Sequence, residues 1–294
     1  MKYILSIDIG GTTFVSGLFT KDLKFIEKSD KDKIRYYKNR TNLVKAIIRQ
    51  IDTLTIRNKI NRKQIIGLGI ASPGPIDTIN GKILETPNLK MFRNYSIVQD
   101  FENRLKIKVS LENDANLFAL GEWYQHHREI KVFLGVTLGT GFGLGLVLNK
   151  NIYTGGNNMS MEYGMSPFKW GKCEKNISID YIKRYAEKLY ERDVSPREIE
   201  KNFYNKDKKA ILIYNDFGKN LGQALSHIIN IVDPQVVVIG GGLSNAFLCF
   251  KDSMFVEIKK YSPSFNINNI SIVQSKSKEI STFYGCCINV LNKK

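Results

Sequence analysis

Asp8 closes an apolar run, Tyr3–Ile9, and the chain turns at once through Gly10-Gly11-Thr12-Thr13. Glycine lets a backbone turn tightly and lets its N–H groups approach an anion, and threonine adds a hydroxyl donor for phosphate oxygens. A carboxylate at that point can hold Mg²⁺ through water beside the phosphates. It can instead cap the turn, but with Gly10–Thr13 following, the metal role is favoured. Two further clusters, Gly139-Thr140-Gly141-Phe142-Gly143 and Gly240-Gly241-Gly242, also follow strand-like runs. Each alone reads as an ordinary turn; three of them at strand exits point to a phosphate or nucleotide site. A second locus is Leu111-Glu112-Asn113-Asp114-Ala115-Asn116, where a strand should become a helix. An aspartate there can take a proton from a substrate hydroxyl and so sharpen that oxygen as a nucleophile toward phosphorus. Asn113 can donate to and accept from a sugar hydroxyl. Helix capping by Asn113 or Asp114 accounts for the same residues. GxxxxGK[ST] does not occur, and GTGFGLG does not satisfy GxGxxG, so neither a P-loop nor a dinucleotide fingerprint is present.

The elements that must carry these groups alternate between strand and helix, which means an α/β fold. Strands are expected at Tyr3–Ile9, Phe14–Phe19, Ile65–Ala71, Ile107–Leu111, Lys131–Leu138, Leu144–Leu148 and Gln235–Ile239. Helical spacing appears in Leu43–Leu54, from Asp114, and over Ile179–Glu191, Pro196–Tyr204, Ala210–Ile231 and Ser281–Leu291. Ser195 with Glu198 reads as a capping box, and Pro196 suits the first helical position. Residues 151–177 are too long for a plain connection. The pattern strand, glycine turn, strand begins near residue 3 and again near residue 131, a coarse duplication.

Composition narrows the classes. The chain has 294 residues, 43% hydrophobic and 11% aromatic, enough for a packed core and against wholesale disorder. Its net charge of +16 raises nucleic acid, an anionic membrane surface or a phosphorylated ligand as partners. The basic residues are dispersed through every segment, so a solvated surface with long-range attraction for an anionic ligand is the expected meaning. The four cysteines form no CxxC pair, which favours a reducing compartment. Asp8 interrupts any signal-peptide core, and the longest uncharged stretch, Val132–Leu148, carries five glycines and reads as two strands. A cytoplasmic protein without membrane association is expected. His126 and His127 are expected at the surface, and His227 in the interior of a helical packing.

DIGGTT at Asp8–Thr13, SPGPID at Ser72–Asp77, PNL at Pro87–Leu89, ENDAN at Glu112–Asn116, GTGFG and IGGG at Ile239–Gly242 stand in the order seen in the ROK family (repressor, open reading frame, kinase). The chain resembles that family over essentially its whole length. The resemblance implies a two-domain actin-like ATPase fold with a ribonuclease-H-like core, of the hexokinase, actin and heat-shock ATPase superfamily. A small domain of residues 1–113 plus about 281–294 and a large one of 114–280 would enclose an active site in the cleft between them. Asp114 would be the catalytic base. Gly10, Gly11, Thr12, Thr13, Gly139, Thr140 and Gly141 would meet the ATP phosphates, and Gly240, Gly241 and Gly242 the adenosine. Asp8 would hold Mg²⁺ through water. The sugar would meet Gly74, Asn88, Asn113 and Glu162. The family also implies a homodimer.

One stretch departs from the family pattern. Most members carry a histidine and three cysteines that bind structural zinc, and a final glutamate that faces the sugar. Here those positions are Met165, Gly171, Cys173, Ser178 and Asp180. One thiolate cannot supply the four ligands of structural zinc, so none is expected. Packing by Tyr163, Phe168, Trp170 and Ile177 is the expected substitute. Asp180 either joins sugar recognition or caps the helix that follows. The activity implied is transfer of phosphate from ATP to the 6-hydroxyl of a hexose or N-acylhexosamine. N-acetylmannosamine, with a place in sialic acid catabolism, is preferred over glucose. A sugar-binding sensor is the non-catalytic alternative. A ROK transcriptional regulator is disfavoured, because the phosphate-binding strand starts at Tyr3 and leaves no helix-turn-helix segment before it.

Overall fold

The computed structural model describes residues 1–87, 89–169, 171–277 and 279–293. The chain forms two compact units: Met1–His126 with Thr154–Ser160 and Glu279–Lys294, and His127–Tyr153 with Met161–Lys278. The first unit therefore runs past the 113/114 boundary expected from sequence and keeps the helix that begins at Asp114. The reason is packing between elements far apart in sequence, described below.

In the first unit β1 (Tyr3–Ile9) and β2 (Thr13–Thr20) make an antiparallel hairpin closed by Ile9 opposite Phe14. Short strands β3 (Phe25–Lys28) and β4 (Asp32–Lys33) add to β2. Helix α1 (Arg40–Arg57) starts where the Asn39 side chain accepts the Asn42 N–H. It leads to β5 (Ile65–Ser72), parallel to β1. The small ribbon β6 (Ile76–Asp77) and β7 (Lys82–Ile83) follows, then α2 (Ile97–Leu105), β8 (Lys108–Asn113) and α3 (Asp114–His126). The main sheet order is β3-β2-β1-β5-β8, with β4 beside β2.

The second unit opens with the antiparallel pair β9 (Val132–Leu138) and β10 (Phe142–Leu148), then β11 (Asn151–Ile152). Helices α4 (Ile179–Tyr190), α5 (Pro196–Tyr204) and α6 (Lys208–Val232) precede β12 (Val236–Gly240), which lies parallel to β9. Then come α7 (Phe247–Tyr261), α8 (Pro263–Asn268) and β13 (Ser271–Gln274). Its sheet order is β11-β10-β9-β12-β13. The duplication read from sequence is thus a repeated topology: a hairpin, then two parallel strands laid beside the hairpin's first strand. Ser195 does accept the Glu198 N–H, but the Glu198 carboxylate pairs with Arg192 and does not complete a capping box. The last helix, α9 (Ile280–Asn292), belongs to the first unit.

Side chains alternate across a strand, and this period sorts the two faces of the first sheet. Leu5, Ile7, Ile9, Leu68, Ile70, Val109 and Leu111 share one buried cluster with Leu43, Val44, Ile47 and Phe101 of α1 and α2. The opposite face carries Ser6, Asp8, Gly67, Gly69 and Ser110, and α9 lies on it. A Cβ at Gly69 would fall 2.3 Å from the Cys286 carbonyl oxygen. Helices α3 and α9 cross at similar closeness: a Cβ on Gly121 would meet the Ser281 oxygen at 1.8 Å, and one on Gly285 the Leu117 oxygen at 2.0 Å. Buried Ser281 also donates to the carboxylate of Glu122, itself 1% exposed. This crossing fastens α3 to the first unit.

Candidate active site

Three parallel strands of the first unit end side by side. Asp8 of β1 is opposite Ala71 of β5, and Ala71 and Ser72 are opposite Glu112 and Asn113 of β8. The Gly10 N–H returns to the Thr13 oxygen at 2.9 Å, tightening the turn, and the Ile34 N–H reaches the Thr12 oxygen at 2.9 Å. Asp8, Gly10–Thr13, Asn113 and Asp114 thus gather at the carboxyl ends of the strands, where open α/β sheets place ligands. Gly74 lies two residues past the end of β5, joined to Pro75 by a cis peptide bond. Asn88 lies outside the described residues.

Asn113 caps α3: its Oδ1 accepts the N–H groups of Ala115 at 2.9 Å and Asn116 at 3.3 Å. Asp114 Oδ1 accepts the same Ala115 N–H at 2.8 Å. Capping is therefore real, and it fixes the aspartate at the helix entrance. Burial pushes the Asp114 carboxyl up, against the opposing pull of the backbone N–H groups. Asp8 is also raised, from 3.8 to about 7, by burial first and then by the charge of Asp114. Lys31 draws it down and Glu279 pushes it up. Glu112, also raised by burial, is held by the Asn116 amide at 3.0 Å and the Asn113 N–H at 2.8 Å. Because the Asp114 charge opposes ionisation of Asp8, a proton or a nearby cation on Asp8 is favoured.

In the second unit the strand ends bring two glycine turns together. Gly139–Gly141 joins β9 to β10, and the Gly139 N–H bonds the Gly141 oxygen at 3.0 Å. Gly240 is opposite Thr137, and Gly241, at φ +82°, lies where a Cβ would come within 2.3 Å of the Leu138 oxygen. Only glycine reaches that conformation at no steric cost. The start of α4 bonds the first turn through the Ile179 N–H to the Gly139 oxygen at 2.8 Å.

Glu162 and Asp180, both exposed, stand at the two ends of the departing stretch. Ser178, not Asp180, caps α4, accepting the Tyr181 N–H; Asp180 sits in the first turn, where its charge suits the helix dipole. Phe168, Cys173 and Ile177 are buried in the core of this unit, with Tyr163 packed against it. Trp170 lies outside the described residues. Burial raises the Cys173 thiol to about 12, and no group of three metal-ligating side chains occurs among the described residues. The residues here do not fit structural zinc. His227, expected inside, is exposed on α6 and pairs with the Tyr163 hydroxyl. His126 is exposed as expected, while His127 is partly covered and tilts against Phe133.

Two sheets of one topology, each begun by a hairpin that closes through a glycine turn, define the actin-like ATPase fold. The chain belongs to the ROK family, whose model matches residues 4–292. It is 32% identical over 262 residues to N-acetyl-D-glucosamine kinase of Histophilus somni, covering 81% of this chain and 83% of that one. Glucokinase of Thermotoga maritima is 30% identical, with 83% of each chain covered. Among solved structures, a ROK family glucokinase from Streptomyces griseus in complex with glucose and AMPPNP superposes with a TM-score of 0.83 at 18% identity, covering 97% of this chain and 98% of that one. No helix among the described residues is long and apolar enough to cross a membrane.

Proposed function

We propose that this chain is an ATP-dependent sugar kinase acting on the 6-hydroxyl of a hexose or N-acylhexosamine. The observation that carries this reading is the pair Asp8 and Asp114 at the ends of β1 and β8, the two strands that flank β5, with the Gly10–Thr13 turn directly after β1. The kinase names of the relatives support it. In this reading Asp114, fixed by α3, accepts the hydroxyl proton while the oxygen attacks the γ-phosphorus, and ADP leaves with the bridging electron pair. Burial that raises the Asp114 carboxyl makes it a stronger base than an ordinary aspartate. Gly10–Thr13 and Gly139–Gly141 orient the phosphates, and Gly240–Gly242 accepts the adenosine. Mg²⁺, arriving with ATP, would neutralise phosphate charge; with no three-ligand cage among the described residues, it fits as a hydrated ion beside Asp8. Asn113, its Oδ1 committed to the helix cap, would offer its amide N–H to the sugar, together with Gly74, Asn88, Glu162 and Asp180.

N-acetylmannosamine, preferred from the altered 165–180 stretch, stands beside N-acetylglucosamine, which the relative in Histophilus somni favours. A coupled ADP-release assay over N-acetylmannosamine, N-acetylglucosamine, glucose, mannose and fructose separates these. Asp114→Asn is expected to lower turnover on the accepted sugar by about 10²-fold or more, the range of a positioned general base. Near-normal turnover of that variant, or no ADP release with any sugar, refutes the reading.

A further inference from the structure

Asn176 and Asn220 are polar residues buried in the second unit: they are 6% and 2% exposed. A buried amide is retained at low cost only when its hydrogen bonds are made. The Asn176 Nδ2 donates to the carbonyls of Phe168 at 3.1 Å and Lys172 at 3.0 Å. The Asn220 Nδ2, from the middle of α6, donates to the Asn176 carbonyl at 3.3 Å. Lys169, next to Phe168, donates back to the Asn220 Oδ1. The bonds close a circuit from 168–169 through α6 to 176 and back. The Asn176 N–H, bonded to the Cys173 oxygen at 2.9 Å, and the Cys173 N–H, bonded to Ser166 at 2.9 Å, draw the intervening turns into it. Three residues beyond Asn176, the Ile179 N–H anchors the segment to the Gly139 turn, and the Tyr181 hydroxyl ties α4 to Asp216 of α6.

We propose that the Asn176–Asn220 clasp is the device that positions Glu162 and Asp180, holding the 162–180 segment against α6 by hydrogen bonds in place of a metal cross-link. The functional half of this inference rests on the kinase reading; the structural half does not. Asn176 and Asn220 are positioning residues and touch no substrate. Asn176→Ala and Asn220→Ala should each raise the sugar KM about tenfold, the equivalent of one to two lost buried hydrogen bonds. The ATP KM and kcat should change much less, because the Gly139 turn keeps its own internal bond. The double variant should cost little more than either single one, since both break one circuit. Chymotrypsin, which cuts after Tyr163 and Phe168, should nick the variants faster than the native chain at a temperature well below either melting transition. Lys169→Ala, altering an exposed residue at the outer end of the circuit, tests the same point without threatening folding, and should shift both readouts in the same direction. Unchanged sugar KM and unchanged nicking overturn the proposal, as does additivity in the double variant. If no sugar is phosphorylated, the kinase reading fails, and the nicking rates still decide the clasp.

Discussion

Asp8→Asn should make the ligand-free protein more stable at pH 8 while disabling it. Asp8 has a folded pKa of about 7 against 3.8 for the ordinary group. A carboxyl raised on folding contributes stability that is fully present below pH 3.8 and lost as pH rises through about 7. The full difference amounts to about 4 kcal/mol above that range. Asparagine is isosteric and uncharged, so it removes this loss and substitutes the burial cost of an amide, about 1–3 kcal/mol. The net gain is on the order of 1–3 kcal/mol, or about 3–10 °C in melting temperature for a unit of this size. The assay is thermal unfolding in EDTA at pH 8 and pH 4.5, wild type against variant. The variant should melt higher at pH 8, and its advantage should vanish at pH 4.5, where native Asp8 is protonated. Magnesium with ATP should raise the melting temperature of the wild type, and much less that of the variant. A variant destabilised equally at both pH values refutes the reasoning, because burial and Asp114 would then not be acting on Asp8 as described.

Two further outcomes follow from the packing. Purified protein should contain substoichiometric zinc, and EDTA should leave its melting temperature unchanged, since Cys173 is a buried thiol raised to about 12 and no group of three metal-ligating side chains occurs among the described residues; one zinc per chain by metal analysis contradicts this. Gly121→Ala should cost about 3 kcal/mol or more in urea unfolding, because its Cβ would sit 1.8 Å from the Ser281 oxygen and α3 cannot approach α9; a change within about 0.5 kcal/mol would show that the crossing yields freely.

The parts of this molecule that were legible in its sequence are those written locally. Apolar runs stopped by glycine gave β1, β9 and β12, and ENDAN marked the strand-to-helix passage because Asn113 caps the helix that carries Asp114. What escaped depends on partners distant in sequence. Strands β3 and β13 are only four residues each, too short for a period to show. The 113/114 boundary followed a change of element, but α3 stays with the first unit through Glu122 and Ser281, 159 positions apart. Asn220 reads as a polar residue on a helix; its burial is set by Asn176, 44 positions away. Glu198 matched a capping box in type and spacing, yet Arg192 competes for its carboxylate with full charge.

The electrostatics of the first unit also explain why a net charge of +16 does not neutralise its own site. Lys31 is close enough to lower the Asp8 pKa, yet both Lys31 and Lys28 are paired with Glu279, whose negative charge acts on Asp8 in the opposite direction. The lysines are therefore partly spent on a carboxylate of the same neighbourhood, and Asp8 remains raised. Surface charge cannot substitute here, since exposed groups more than about 10 Å away are screened in physiological salt. The carboxylate pair is left with a repulsion that a bound cation would relieve. In the proposed kinase a ligand bearing its own metal would do so only while bound, and the cost of keeping Asp8 near Asp114 would become selectivity for a metal-bearing phosphate over a bare one. In the second unit, by contrast, Phe168, Lys172 and Asn176 are tied by the side-chain amides of Asn176 and Asn220, with the Lys169 ammonium as the charged donor of the circuit.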